Sequence, residues 1–436
     1  MMKIVHLAAG AGEMYCGTCL QENTLAAALR AAGEDVTLVP LYTPLRTEQQ
    51  DVSVGRVAFG GINVYLQQHC ALFRHTPRLL DRLLDRPALL RFAARHARAT
   101  RPEGLGPLTV SMLRGEEGRQ RKELDKLMRW LGDELRPELV HLSNALLVGL
   151  ARELMGRLGV PVVCTLSGED GFLERLPEPH RTEARAVLRE RVGELPALVA
   201  MSRYYADFAA EYLAVPRERI HVIPPGLNLA DHAVDEGRPP PFPRGQQITI
   251  GHVGRVCHEK GLHLLVEALG LLHKWAGLAP VRVRAGGYLD PADRPYLDGL
   301  LRRAAELGVD RRFEHLGELD LAAKIALLRS CDLFVAPSTR PESKGITALE
   351  AWASGLPAVL PDHGAFSELV AETGGGVLFE PGSAPSLADA MARLLSQPEA
   401  AAEHGGRGQA AVHQRYYAAE MARRTVELYR RLLTPV

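Results

Sequence analysis

Three things are scarce in this sequence of 436 residues. Charge of one sign is the first: 52 Lys and Arg oppose 52 Asp and Glu, so the formal net charge is zero. A chain without a global field offers no electrostatic argument for nucleic acid. Long apolar runs are the second: none reaches the roughly 18 residues that a membrane-spanning helix needs. Cysteine is the third: Cys16, Cys19, Cys70, Cys164, Cys257 and Cys331 are scattered along the chain. That suits a reduced, cytoplasmic chain better than a disulfide framework. The opening MMKIVHLAAG lacks a charged segment followed by a long apolar core, so it reads as a strand rather than a signal peptide. What remains is ordinary for a globular protein, with 46% hydrophobic and 24% charged residues. The length is too great for one hydrophobic core and suits two α/β domains.

The pattern along the chain is a short apolar strand followed by a helix, repeated. KIVHLA (3–8), a helix over 19–33, and DVTLVPLY (35–42) form a first βαβ unit. ELVHLS (138–143), PVVCTLS (161–167), ALVAMS (197–202) and IHVIPPG (220–226) continue it, with a helix read over 145–159. The segment 235–247, DEGRPPPFPRGQQ, is rich in Pro and Gly and reads as a linker. The pattern then restarts with ITIGHVG (248–254), VRVRAGG (281–287), RFEHLG (312–317), DLFVAPS (332–338), PAVLPD (357–362) and GVLFE (376–380). Strands alternating with helices predict two doubly wound, Rossmann-like domains, over 1–234 and 248–415, with a ligand cleft between them. An amphipathic helix over 416–436 is expected to cross back to the first domain.

The stretch from about 70 to 125 breaks this rhythm and reads as a helical insertion. Arg74, Arg78, Arg82 and Arg86 recur every fourth residue beside Leu79, Leu80, Leu83 and Leu84. The plain reading is a solvated face paired with Asp81 and Asp85. The sharper reading is a basic surface over 74–101 that touches an anionic acceptor, or an anionic membrane face peripherally at the inner leaflet.

Two motifs in the second half carry chemistry. In GHVGRVCHEKG (251–261), a strand ends at Gly254, and Arg255 and Lys260 lie on the loop before a helix. Two cations at the carboxyl end of a strand suit a phosphate or diphosphate; the plain reading is two surface cations. In RPESKGITALEAWASG (340–355), a helix is predicted to start near Ile346 after the turn at Gly345. Its first turn offers free N–H groups and a positive dipole end to a phosphate. Glu342 before the helix can face a sugar hydroxyl, and Glu350 within it can accept from a ribose diol. The plain reading is two surface glutamates.

Together, G-R-x4-K-G, CDLFVAPS and E-x7-E-A-x-A-S-G-x-P-A-V resemble the retaining, nucleotide-sugar-dependent glycosyltransferases of the GT-B fold, in particular those like glycosyltransferase family 4. The first half, with GGINVYLQQHCALF (60–73), has a secondary likeness to glycogen and starch synthases. The resemblance implies that Arg255 and Lys260 contact the donor diphosphate and that Glu342 contacts the donor sugar. It implies that Glu350 holds the ribose, that Gly345, Ile346 and Thr347 line the donor, and that Glu318 and Leu319 read the base. Gly254 is expected at the donor because a glycine there allows close backbone approach, and Lys344, which stands where the family usually has an aromatic, is expected to add a cation near the donor. It implies front-face transfer with retention and no cofactor. No D-x-D-like metal site is evident, so no metal is expected. The expected partners are a UDP-sugar donor, with ADP-glucose or a GDP-sugar open, and a sugar, glycan or lipid-linked glycan acceptor. A glucan synthase-like enzyme and a GT-B-fold epimerase are alternatives.

Departures from the family concentrate on the acceptor side. Where a histidine is usual, the chain reads Thr165-Leu166-Ser167-Gly168. Ser167, Glu169 and Asp170 are therefore the candidates for acceptor contacts. In MYCGTC (14–19), Cys16 and Gly17 fall where the family has a Gly-Gly turn, so Cys16 is expected to face the site and Gly17 to supply backbone freedom on the donor side. A thiol–disulfide centre at Cys16 and Cys19 is the competing reading, but a single C-x-x-C lacks the second pair a zinc site would want.

Overall fold

The computed structural model describes residues 1–10, 17–70, 73, 102–232, 247–275 and 280–434. The chain forms two compact units: Met1–Gly226 with Ala418–Val436, and Leu227–Tyr417.

In the first unit the strands are β1 (Lys3–Ala8), β2 (Asp35–Pro40), β3 (Leu139–Leu142), β4 (Val162–Leu166), β5 (Ala197–Ala200) and β6 (Ile220–Val222). They form one sheet in the order β2-β1-β3-β4-β5-β6, every neighbour pairing parallel. Near-continuous apolar sequence is what a sheet covered on both faces requires; all of β3, β4 and β5 is buried. The helices are α1 (Gly17–Ala31), α2 (Gly61–His69), α3 (Pro102–Leu113), α4 (Arg121–Trp130), α5 (Ala151–Leu158), α6 (Asp170–Leu173), α7 (His180–Gly193) and α8 (Arg203–Leu213).

In the second unit the strands are β7 (Ile248–Val253), β8 (Val281–Gly286), β9 (Phe313–His315), β10 (Leu333–Val335), β11 (Ala358–Pro361) and β12 (Gly376–Phe379). Their order is β12-β11-β10-β7-β8-β9, again parallel. The helices are α9 (Leu262–Leu272), α10 (Arg294–Glu306), α11 (Leu321–Ser330), α12 (Ile346–Ala353), α13 (Gly364–Thr373), α14 (Ala384–Leu395) and α15 (Pro398–Arg415). The last helix, α16 (Ala418–Leu433), belongs to the first unit and packs on α1, burying Met421, Ala422, Val426, Leu428 and Tyr429.

Several sequence expectations need adjustment. The helix read over 145–159 is a tight 3₁₀ stretch, Ala145–Leu150, followed by α5. The tight start brings Gly149 against α3, where a Cβ would lie 2.0 Å from the Met112 carbonyl oxygen. The described end of the stretch read as a helical insertion packs into the core: Leu113 on α3 and Leu124 on α4 are at most 2% exposed and cluster with β3. The Arg-rich segment 74–101 and most of the linker, 233–246, lie outside the described residues. The division falls upstream of that linker, because Leu227 and Leu229 pack with the Trp352 cluster and the Leu227 N–H donates to the Tyr416 carbonyl at 2.9 Å.

A buried polar chain ties the first unit together. Glu22 on α1 meets His6 Nδ1 at 3.0 Å, and His6 Nε2 meets the Tyr429 hydroxyl on α16 at 3.0 Å. The same hydroxyl meets His141 Nδ1, while His141 Nε2 meets the Thr165 hydroxyl at 2.7 Å. Burial pushes His141 down to about 3, helped by His6 and opposed by Glu22.

Candidate functional site

The strand order of the second sheet places the site. Leaving β7, the sheet grows one way through β8 and β9 and the other way through β10, β11 and β12. The two connections that leave β7 and β10 therefore diverge, and a crevice opens at their carboxyl ends. The first connection is Gly254–Gly261, and the second is Ala336–Gly345.

Sequence dictates the turns of both connections. After β7, residues His258–Lys260 form a single 3₁₀ turn, and Gly261 starts α9 with φ 73°. No other residue fits, since a Cβ at Gly261 would lie 1.8 Å from the Pro337 carbonyl oxygen of the neighbouring connection. After β10, Gly345 caps α12 with φ 72°, leaving the N–H groups of Ile346 and Thr347 in the first helical turn.

These turns bring Lys260 and Glu342 together. The Lys260 ammonium donates to Glu342 Oε1, which also accepts from the Ser338 hydroxyl at 2.9 Å. The side chains keep 28% and 22% of their exposure, so the pair faces an opening rather than the core. Burial raises the Glu342 carboxyl, but Lys260, Ser338 and Lys344 outweigh it, and the net shift is downward. Lys344 thus acts electrostatically on the glutamate, and it sits immediately before Gly345. Arg255 stays open to solvent at 54% exposure, with Glu259 as a distant partner at 3.9 Å. Lys260, through Glu342, and Lys344 thus stand near the start of α12, and Arg255 is an exposed cation on the same connection as Lys260.

Glu350 lies one turn into α12 in a different setting. Lys324 on α11 donates to Glu350 Oε1 at 2.6 Å, with the two side chains 5% and 11% exposed. Sequence reading missed Lys324, although a signal was present. Lys324 shares a helix face with Leu327, Leu328 and Cys331, all buried, so a cation stands where the apolar stripe calls for a hydrophobe. Glu318 and Leu319 follow β9 as expected; Glu318 is exposed, while Leu319 packs toward Gly286 at the end of β8.

Beneath the first connection lies His252, also missed. Its Nδ1–H donates to the Val335 carbonyl at 2.9 Å, which leaves a buried, unpartnered Nε2 facing Gly254. Burial pushes it down to about 4; the Val335 carbonyl opposes the shift and Lys260 adds to it. No sequence pattern marks it, because a histidine inside a strand looks like any core residue.

The acceptor-side candidates sit in the first unit after β4. The Ser167 hydroxyl donates to the Ser143 carbonyl at 3.0 Å, and Asp170 accepts from the Tyr205 hydroxyl at 2.8 Å. Glu169 is buried, and its carboxylate accepts the N–H groups of Ala145 at 2.8 Å and Ser167 at 2.8 and 2.9 Å. That carboxylate thus staples two loops together. Gly17 opens α1 instead of lying in the loop before it. Its φ is not positive and a Cβ there would meet nothing within 4 Å, so the described structure does not draw on its freedom. Cys16 lies outside the described residues, and Cys19 is buried. Among the described residues, no group of three or more His, Cys, Asp or Glu is placed to hold a metal ion. No described helix is long and apolar enough to cross a membrane.

Comparison with known proteins bears on the family and the fold. The model of "Glycosyl transferases group 1" matches residues 234–410, and that of "Glycosyltransferase Family 4" matches 93–231. A D-inositol 3-phosphate glycosyltransferase of Nocardia farcinica is 28% identical over 358 residues, 77% of each chain. A glycogen synthase of Mycobacterium tuberculosis is 29% identical over 275 residues, 61% of this chain and 62% of that one. Among solved structures, sucrose-phosphate synthase from Thermosynechococcus elongatus superposes with a TM-score of 0.70 at 19% identity, covering 99% of both chains. Anabaena HepE in complex with UDP-glucose superposes with a TM-score of 0.66 at 18% identity, covering 98% of this chain and 99% of that one. At these identities the structural likeness speaks for the fold.

Proposed function

We propose, for a chain that belongs to the glycosyltransferases of the GT-B fold, that the second unit binds a nucleoside diphosphate sugar and that the enzyme transfers the sugar with retention. The observation that carries this reading is the convergence of Lys260, Glu342 and the start of α12 at the strand-order reversal. The bond between the anomeric carbon and the leaving phosphate oxygen breaks, and its electron pair goes to the diphosphate. Arg255, Lys260 and the N–H groups of Ile346 and Thr347 meet that growing charge, as preorganised electrostatic stabilisation requires. Glu342 orients the sugar, and Glu350 accepts from the ribose diol. The acceptor hydroxyl bonds to the anomeric carbon on the face the phosphate leaves, and its proton passes to the leaving phosphate oxygen. Ser167, Glu169 and Asp170 are kept as the candidates for acceptor contacts, with Glu169 already engaged by backbone N–H groups.

A UDP-sugar is the first donor to test, with ADP-glucose and GDP-sugars beside it. Incubation with each, read by nucleotide release and by proton NMR of the product, tests the reading. An α-linked donor should give an α-linked product; a β-linked product would overturn retention. A second reading, extension of an α-glucan, is favoured by the similarity to the mycobacterial glycogen synthase. Incorporation into glycogen primer separates it from transfer to a small acceptor.

A further inference from the structure

We infer that Lys324 is a positioning residue for nucleotide recognition, acting through Glu350. The inference rests on the donor-site reading above. A lysine is misplaced at position 324 by every local criterion. It sits in the first turn of α11, at the positive end of the helix dipole, where a cation is disfavoured. Asp320 already caps that helix, accepting the Ala323 N–H at 2.8 Å, so Lys324 is not needed there. The residue is 4% exposed, and burying an ammonium is costly without a strong partner. Residues that break local rules mark places where the chain answers to function.

The arrangement explains the placement. Glu350 stands on α12, the helix whose first turn lies at the strand-order reversal, and its side chain keeps 11% of its exposure. One carboxylate oxygen takes the Lys324 ammonium at 2.6 Å. A long side chain on a rigid helix thereby fixes the rotation of the carboxylate in a nearly closed site. A carboxylate held this way presents an acceptor in a set direction, as recognition of a vicinal diol demands. Without Lys324 the carboxylate is free to rotate, and the diol loses its fixed acceptor.

The test is a double-mutant cycle on nucleotide binding. The probes are UDP, ADP and GDP, and the 2′-deoxy counterpart of whichever binds, measured by calorimetry on the full chain. In the wild type the ribonucleotide should bind on the order of 10-fold or more tighter than its deoxy form, as expected for a hydrogen bond to a charged group. Lys324→Met should bring that ratio close to one, mainly by weakening the ribonucleotide. In a Glu350→Gln background the same change should leave the ratio unmoved. Lys324→Arg, which keeps the cation, should retain a ratio clearly above that of Lys324→Met. Thermal unfolding confirms which variants fold, and Lys324→Arg and the neutral Lys324→Met/Glu350→Gln pair keep the cycle decisive if Lys324→Met alone does not. A wild-type ratio preserved in Lys324→Met, or an equal effect of that change in both backgrounds, overturns the inference while leaving the donor site standing. A wild type that binds none of the three nucleotides overturns the donor site itself, and the inference with it.

Discussion

Lys260 and Glu342 come from connections that leave two different strands, 82 residues apart in sequence, and form an ion pair at the point where the second sheet reverses its strand order. Ser338 holds the same carboxylate oxygen from a third position. The pair is half-open, so neither charge bears the full desolvation cost of a core salt bridge, and both can be re-engaged by a ligand. In the proposed reaction Lys260 turns toward the departing phosphate while Glu342 turns toward the sugar.

Glu342→Gln should therefore lower kcat far more than it raises the Kd of the bare nucleoside diphosphate, because the carboxylate addresses the sugar. A loss on the order of 10²-fold in kcat is expected for one preorganised group. Steady-state kinetics beside calorimetry check the split; a variant weakened only in nucleotide affinity would contradict it.

Gly261 is predicted to be the least replaceable residue of the cation-bearing connection. Its φ of 73° and the 1.8 Å approach of a Cβ to the Pro337 oxygen combine strain with a backbone clash. Gly261→Ala should destabilise by about 3 kcal/mol or more. Gly156→Ala is the matched control. Gly156 lies inside α5 with nothing within 4 Å of a Cβ, so a gain of about 0.5–1 kcal/mol is expected there. Urea unfolding of both variants reads the contrast.

Acid should weaken the fold through two buried imidazoles. His252 and His141 are held down to about 4 and about 3, against 6.5 for a free side chain. Below pH 6.5 the unfolded chain takes up protons that the folded chain refuses, so stability is full above that pH and is lost on acidification toward 4 and 3. Each group contributes a slope of up to about 1.4 kcal/mol per pH unit. His252→Asn should reduce the drop in melting temperature between pH 7 and pH 5; an unchanged drop would show that His252 is not a source of it.

The buried Arg191 gives a stability prediction in the first unit. At 2% side-chain exposure it donates to Glu116 at 2.9 Å and to the Arg114 carbonyl at 2.8 Å. Glu116→Ala leaves that cation with the Arg114 carbonyl and only a distant carboxylate, Glu117 at 3.9 Å, and should cost about 3 kcal/mol, whereas Arg191→Met should cost clearly less because it buries no poorly paired cation. Denaturant titration of the two variants ranks them.

Much of the fold was legible because parallel strands buried on both faces announce themselves as apolar runs. Each of the twelve described strands falls within a stretch such as ELVHLS or DLFVAPS, trimmed at its ends. The trimming is physical, since past the strand ends the Ser143 carbonyl accepts from the Ser167 hydroxyl and the Ser338 hydroxyl turns to Glu342 instead of continuing the ladder. The turn glycines Gly261 and Gly345 marked the two connections at the strand-order reversal because φ-specific turns need particular residues. What sequence could not supply was pairing. Lys324 with Glu350, Lys260 with Glu342 and the Glu22–His6–Tyr429–His141 chain join segments from separate elements, and only the packed fold brings them together. Glu169 reads in sequence as an acceptor-side candidate beside Asp170, and its capture by two backbone N–H groups depends on where the 3₁₀ turn at Ala145 lands.

The most direct test of the central claim is turnover by Lys260→Ala, measured as nucleotide release from UDP-, ADP- and GDP-sugars beside the wild type. The wild type should release nucleotide from at least one donor, and the variant should be slower on that donor by on the order of 10²-fold while remaining folded. A folded Lys260→Ala enzyme with near-normal turnover would contradict the account.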